Sequence, residues 1–163
     1  NNPSKISRGC VVQNNRIYNN NHVNFADVNA IVSSVPSGTG VMILAADEVR
    51  VTQNEILNNK SMGVAILGLE TLFGSDKEFD VDPTPENNWV YNNQIGGNGY
   101  DPDAKVLDSG FDGADLIWDM SGINNSWDQA GVSKLPFTLP EKDWTEFRRR
   151  ANYRLWQMAS AML

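Results

Sequence analysis

Apolar residues in this chain come in short runs of one to six, most of them ended by asparagine, glycine or a charge, and the runs repeat. The template V-x-x-N-x-I-x-x-N occurs as VQNNRIYNN (12–20), VTQNEILNN (51–59) and VYNNQIGGN (90–98). Its members are Val12, Val51 and Val90, then Asn15, Asn54 and Asn93, then Ile17, Ile56 and Ile95, and last Asn20, Asn59 and Asn98. Each interval is 39 residues, from Val12 to Val51 and from Val51 to Val90. A second unit, GVMIL (40–44), returns 23 residues later as GVAIL (63–67), and more weakly as GADLIW (113–118). Between the first two copies the order is GVMIL, EVRVTQN, EILNN, GVAIL. Runs this short, rich in β-branched residues and closed by turn formers, predict strands.

Three short strands in about 23 residues are the unit of a right-handed parallel β-helix, a solenoid in which each coil stacks on the last. The expected fold is therefore all-β, with loops inserted into the coils. Stacking at roughly 4.8 Å per coil would set equal positions in register. Val12, Val51 and Val90 would form one apolar ladder, and Ile17, Ile56 and Ile95 another. Asn15, Asn54 and Asn93 would stack at a corner, where asparagine tolerates left-handed backbone and bonds along the ladder. The 39-residue interval exceeds one coil by about 16 residues, and this excess predicts loops at 21–38 and 68–87. The coils would span 1–131, followed by a linker over 132–140.

From 141 to 163 the period becomes helical. Trp144, Phe147, Ala151, Leu155, Met158 and Met162 step by three or four into a single apolar stripe. Thr138 and Glu141 have the spacing of a capping box, with Pro140 between them. The helix either caps the open end of the solenoid or docks on another protein through Trp144, Phe147, Arg148, Leu155 and Trp156.

Composition narrows the function. A chain of 163 residues suits one domain with a core. Its net charge of −7 argues against a nucleic-acid partner, and no apolar run reaches the length of a membrane span. Cys10 is the only cysteine, so the chain has no internal disulfide and no CxxCH for attaching a c-type haem. The sequence opens inside a repeat, without Met or a signal peptide, and reads as a trimmed piece of a longer precursor.

Acidic residues crowd DKEFDVD (76–82) and YDPDAKVLDSGFDGAD (100–115). Asp80, Asp82, Asp101, Asp103 and Asp112 could give oxygens to calcium, though no EF-hand spacing is present. The plainer reading is a solvated, turn-forming acidic loop. Tyr100, Asp101, Asp103 and Lys105 could supply the acid and base of a polysaccharide lyase or epimerase, with Lys77 as a second candidate base. YDPD resembles the start of the Tyr, Asp and His cluster of alginate epimerases, but no histidine follows it. His22, in the first inserted loop, is the only histidine and reads as a surface residue. N-x-S sequons stand at Asn59 and Asn124.

Several stretches together resemble a family of bacterial exported parallel β-helix repeat-containing proteins, within the pectate-lyase-like superfamily. They are NFA (24–26), VPSGTG (35–40), LAADEV (44–49), GGNGYDP (96–102) and LIWDMSGINNSWD (116–128). The resemblance covers roughly 11–128 and stops short of the aromatic helix. It implies a periplasmic, outer-membrane-associated or extracellular location. It also implies a partner chain, often c-type cytochrome-like, that would carry the haem. The expected function is a non-catalytic binding or scaffolding module of the cell envelope, with no cofactor of its own unless the acids bind calcium. The alternative is a carbohydrate-active enzyme (lyase, epimerase or hydrolase-like) with an acidic groove near Asp101, Asp103 and Asp112, acting on an anionic glycan.

Overall fold

The computed structural model describes residues 7–136 and, beyond them, 145, 147–148, 151–152, 154–155 and 158. Every strand pairing in it is parallel, in three sheets. The first sheet holds β1 (Val11–Gln13), β4 (Arg50–Thr52), β7 (Trp89–Tyr91) and β10 (Ser126–Asp128). The second holds β2 (Arg16–Tyr18), β5 (Glu55–Leu57) and β8 (Gln94–Gly96). The third holds β3 (Thr39–Leu44), β6 (Met62–Leu67), β9 (Ala114–Trp118) and β11 (Lys134–Leu135). The chain visits the sheets in this order and then returns to the first, so each strand pairs with its counterpart from the adjacent pass. Strands of two or three residues cannot stand alone, and this pairing is what makes them stable.

The repeat sets the register. Val12 pairs with Val51 and Val51 with Val90, while Ile17 pairs with Ile56 and Ile56 with Ile95. Val51, Ile56, Val64, Val90, Leu116 and Trp127 are fully buried at the centre, with the first-pass residues Val12, Ile17 and Val41 only partly covered. A second apolar cluster, including Met62, Ala65, Val106 and Ile117, lies on the other face of the third sheet. There β6 and β9 are buried on both faces, which is why their sequences are continuous apolar runs instead of alternating ones.

Asparagine ladders run along the stack. Asn15 donates from its backbone N–H and Nδ2 to Asn54 Oδ1, both at 3.0 Å, and Asn54 donates likewise to Asn93 Oδ1 at 3.0 and 2.9 Å. The second ladder runs from Asn20 to Asn59 to Asn98 and ends on Asp115 Oδ1. The left-handed backbone expected at these residues sits one position earlier. Asn14, Gln53 and Asn92 have φ of 58°, 55° and 53°, which frees the following asparagine side chain to face its neighbour along the stack.

Three long loops interrupt the passes. Residues 68–88 link β6 to β7 and contain α1 (Leu69–Phe73). Residues 19–38 link β2 to β3, with one 3₁₀ turn over Ile31–Ser34. Residues 97–113 link β8 to β9 and contain α2 (Ala104–Asp108). The sequence repeat predicts insertions only at 21–38 and 68–87, so this third loop is an addition to them. It leaves from the same corner as 19–38, between the second and third sheets. Lys134 and Leu135, assigned to a linker by sequence, pair with Leu116 and Ile117. In the C-terminal part residues 147, 148, 151, 152, 154, 155 and 158 are helical. Of the predicted stripe, Phe147, Leu155 and Met158 are exposed and Ala151 is half-buried. Trp144 and Trp156 lie outside the described residues. No helix among the described residues is long and apolar enough to cross a membrane.

Candidate functional site

The corner between the second and third sheets gathers loops 19–38 and 97–113 around a short connection of the middle pass, Lys60 and Ser61. Asn21 reaches both sides, accepting from Lys60 N at 2.8 Å and donating to Asn58 O at 3.1 Å and Tyr100 Oη at 3.0 Å. Asp103 N donates to Ser61 Oγ at 2.8 Å. The Asp103 carboxylate accepts from Lys105 N at 3.1 Å, capping α2, and from Ser37 N at 3.3 Å in the opposite loop. Lys105 Nζ donates to Ser33 O at 2.6 Å. Asp101 N donates to Lys60 O at 3.0 Å.

Tyr100, Asp103 and Lys105 each bond to a different residue of loop 19–38, namely Asn21, Ser37 and Ser33, and so tie one loop to the other. A carboxylate occupied by a helix cap and a cross-loop bond is poorly placed to move a substrate proton. A shallow crevice between α1, α2 and the third sheet offers no acid and base pair. It is lined by Leu67, Leu72, Val106, Phe111 and Ile117, with Lys105 as its one ionisable side chain.

The calcium set does not assemble. Asp80 and Asp82 belong to loop 68–88 at another corner, and Asp101, Asp103 and Asp112 to loop 97–113. Asp82 Oδ1 accepts from Thr84 Oγ1 at 2.7 Å and Thr84 N at 2.9 Å, and these bonds hold its carboxyl below the usual range. Among the described residues no group of three or more His, Cys, Asp and Glu could hold a metal, and calcium needs six to eight oxygens. Lys77 Nζ lies 5.5 Å from the centre of the Phe73 ring, in the other loop. His22 is exposed and its carbonyl accepts from Ser37 Oγ. Asn59 is fully buried in its ladder, so its sequon cannot be glycosylated in the folded chain.

What sequence reasoning missed is the apolar character of this corner. In loop 19–38, Phe25 is 96% exposed, Val28 87% and Val23 82%, with Ile31 and Val32 also exposed. Tyr100 and Leu107 of the other loop are exposed as well. The first loop is braced internally: Asn24 Nδ2 donates to Val32 O at 2.8 Å and Val35 O at 2.9 Å, and Asn24 Oδ1 accepts from Ala26 N. Exposed apolar side chains on a braced loop are the candidate contact surface at this corner. The signal lay in HVNFADVNAIV, whose apolar residues follow neither a strand nor a helix period.

The structural role of Asp103 is testable. Asp103→Ala is expected to cost about 1 kcal/mol in urea unfolding, through the lost cap, whereas Asp103→Asn keeps most of the stability because asparagine caps as well as aspartate. An asparagine variant as unstable as the alanine one would show that the charge, and not the cap, is what matters. Compared with protein-family models, curated proteins and solved structures, the chain has no match in any of the three.

Proposed function

We propose that the three sheets wind as a right-handed parallel β-helix, and that this solenoid is a non-catalytic binding or scaffolding module of the bacterial cell envelope. The observation that carries the reading is the exposed apolar loop 19–38, cross-braced to loop 97–113. Holding a contact surface in its bound shape lowers the ordering cost of association, and loops on a rigid scaffold are where binding residues concentrate. The exposed helical stripe of Phe147, Leu155 and Met158 offers a second apolar surface. The enzyme alternative loses support because Asp103 and Lys105 are engaged in holding the loops together.

The envelope location and a c-type cytochrome partner rest on the sequence resemblance. Any haem would belong to the partner, since Cys10 stands in no CxxCH. The test is the mass and visible spectrum of the particle purified from its own source. A Soret band with a mass above the 18.1 kDa of one chain is the expected result. A colourless species of 18.1 kDa, or cleavage of an anionic polysaccharide in the presence of calcium, would overturn the reading.

A further inference from the structure

The two apolar surfaces differ sharply in charge. Within the predicted helical stretch 141–163, residues 147–163 carry Arg148, Arg149, Arg150 and Arg154 and no acid, whereas 141–146 hold Glu141, Asp143 and Glu146 against Lys142. With a total of −7 and +4 in 147–163, the rest of the chain holds −11. The corner face is among the acidic parts. Loops 19–38 and 97–113 carry Asp27, Asp101, Asp103, Asp108 and Asp112 along with the exposed apolar side chains, against Lys105 in the loops and Lys60 in the connection between them. On the helix, Phe147, Leu155 and Met158 are exposed beside Arg148 and Arg154, which are exposed too. Acidic loops with exposed apolar side chains match a helical segment with arginines and an exposed apolar stripe in both charge and hydrophobicity.

We propose that the corner face of one copy receives the C-terminal helix of a second copy. The inference rests on the reading of that corner as a docking face and adds the identity of what docks. An amphipathic helix laid against an apolar surface is a common recognition mode, and opposite charges around it set orientation and speed of encounter. Each copy gives a helix and offers a face, so reciprocal exchange closes a symmetric dimer and one-way transfer builds rings or chains. A basic helix can also lie on an anionic bilayer. The −11 carried by the rest of the chain opposes that surface, which favours the second copy.

Light scattering on the eluting full-length chain tests this. The wild-type mass is expected to rise with protein concentration above 18.1 kDa and to fall back as salt screens the charges. Phe25→Asp breaks the face and Leu155→Asp breaks the stripe, and each variant alone should stay at one chain mass. Mixed in equal amounts they should form a species of twice that mass and nothing larger, because one intact face meets one intact helix. Arg154→Glu is the second helix variant, for use if Leu155→Asp loses helical signal, and it should weaken association at least tenfold. Three results would overturn the proposal: a wild-type chain that stays monomeric, variants that do not complement on mixing, or binding to anionic vesicles without self-association. A monomeric chain inside a larger native particle would remove the second copy while leaving the docking face in place.

Discussion

Asn59→Ala is expected to unfold at a much lower urea concentration than the wild type, with a loss of about 3–5 kcal/mol and little change in the denaturant slope. Asn59 is fully buried at the middle of its ladder. Its Oδ1 accepts from Asn20 N at 3.2 Å and Asn20 Nδ2 at 3.0 Å. Its Nδ2 donates to Asn98 Oδ1 at 2.9 Å and to Ile17 O at 3.3 Å. One side chain thus serves the passes before and after it. Alanine leaves the Ile17 carbonyl and the buried Asn98 side chain each short of a donor and opens a small void. Each buried polar group left unsatisfied costs about 1–3 kcal/mol, and two of them with the void give the stated loss. Asn20→Ala is the internal comparison. Asn20 is exposed at the first pass, where water can replace what is lost, so its cost should be under about 1.5 kcal/mol. Equal losses at the two positions would mean that the ladder contributes through backbone propensity and not through its hydrogen bonds.

The same residues explain how much could be read in advance. The register was legible because Val12, Val51 and Val90 present one side-chain type to one environment at a fixed interval, as do Ile17, Ile56 and Ile95. The ladder ends were not legible. Asn93 continues onto Gln129 and Asn98 onto Asp115, at separations of 36 and 17 residues, because any side chain that presents an oxygen at the right depth can terminate a row of donors. The position of the left-handed residue was ambiguous in Asn14–Asn15 and Asn92–Asn93, where both members suit it. At the corner, the sequence displayed the charges of Asp103 and Lys105 but not their partners, which come from Ser37 and Ser33 more than 60 residues away. Exposure of Phe25 and Val28 is likewise a tertiary fact. The same residues could have faced inward had loop 19–38 folded over the third sheet.

Gly99→Ala should be the most damaging small substitution at the corner, costing about 3–4 kcal/mol. Gly99 has φ +77°, and a Cβ there would stand 2.1 Å from Ala114 N. Across from it, a Cβ on Gly113 would meet Gly99 O at the same 2.1 Å. These two glycines close the neck of loop 97–113 backbone against backbone. Left-handed geometry alone costs alanine about 1–2 kcal/mol. The remainder comes from pushing the start of β9 away, where Ala114 is buried. Gly110→Ala separates the two terms, since Gly110 has φ +80° and nothing within 4 Å of an added Cβ. It should lose only the conformational part. Hydrogen exchange of amides 101–111 should rise in Gly99→Ala and stay near wild type in Gly110→Ala. Opening the neck also moves Tyr100, Asp103 and Lys105 off Asn21, Ser37 and Ser33, so docking at the corner face should weaken with the first variant and survive the second. If both glycine variants lose the same stability and bind alike, the neck does not hold the face, and the bracing must come from loop 19–38 alone.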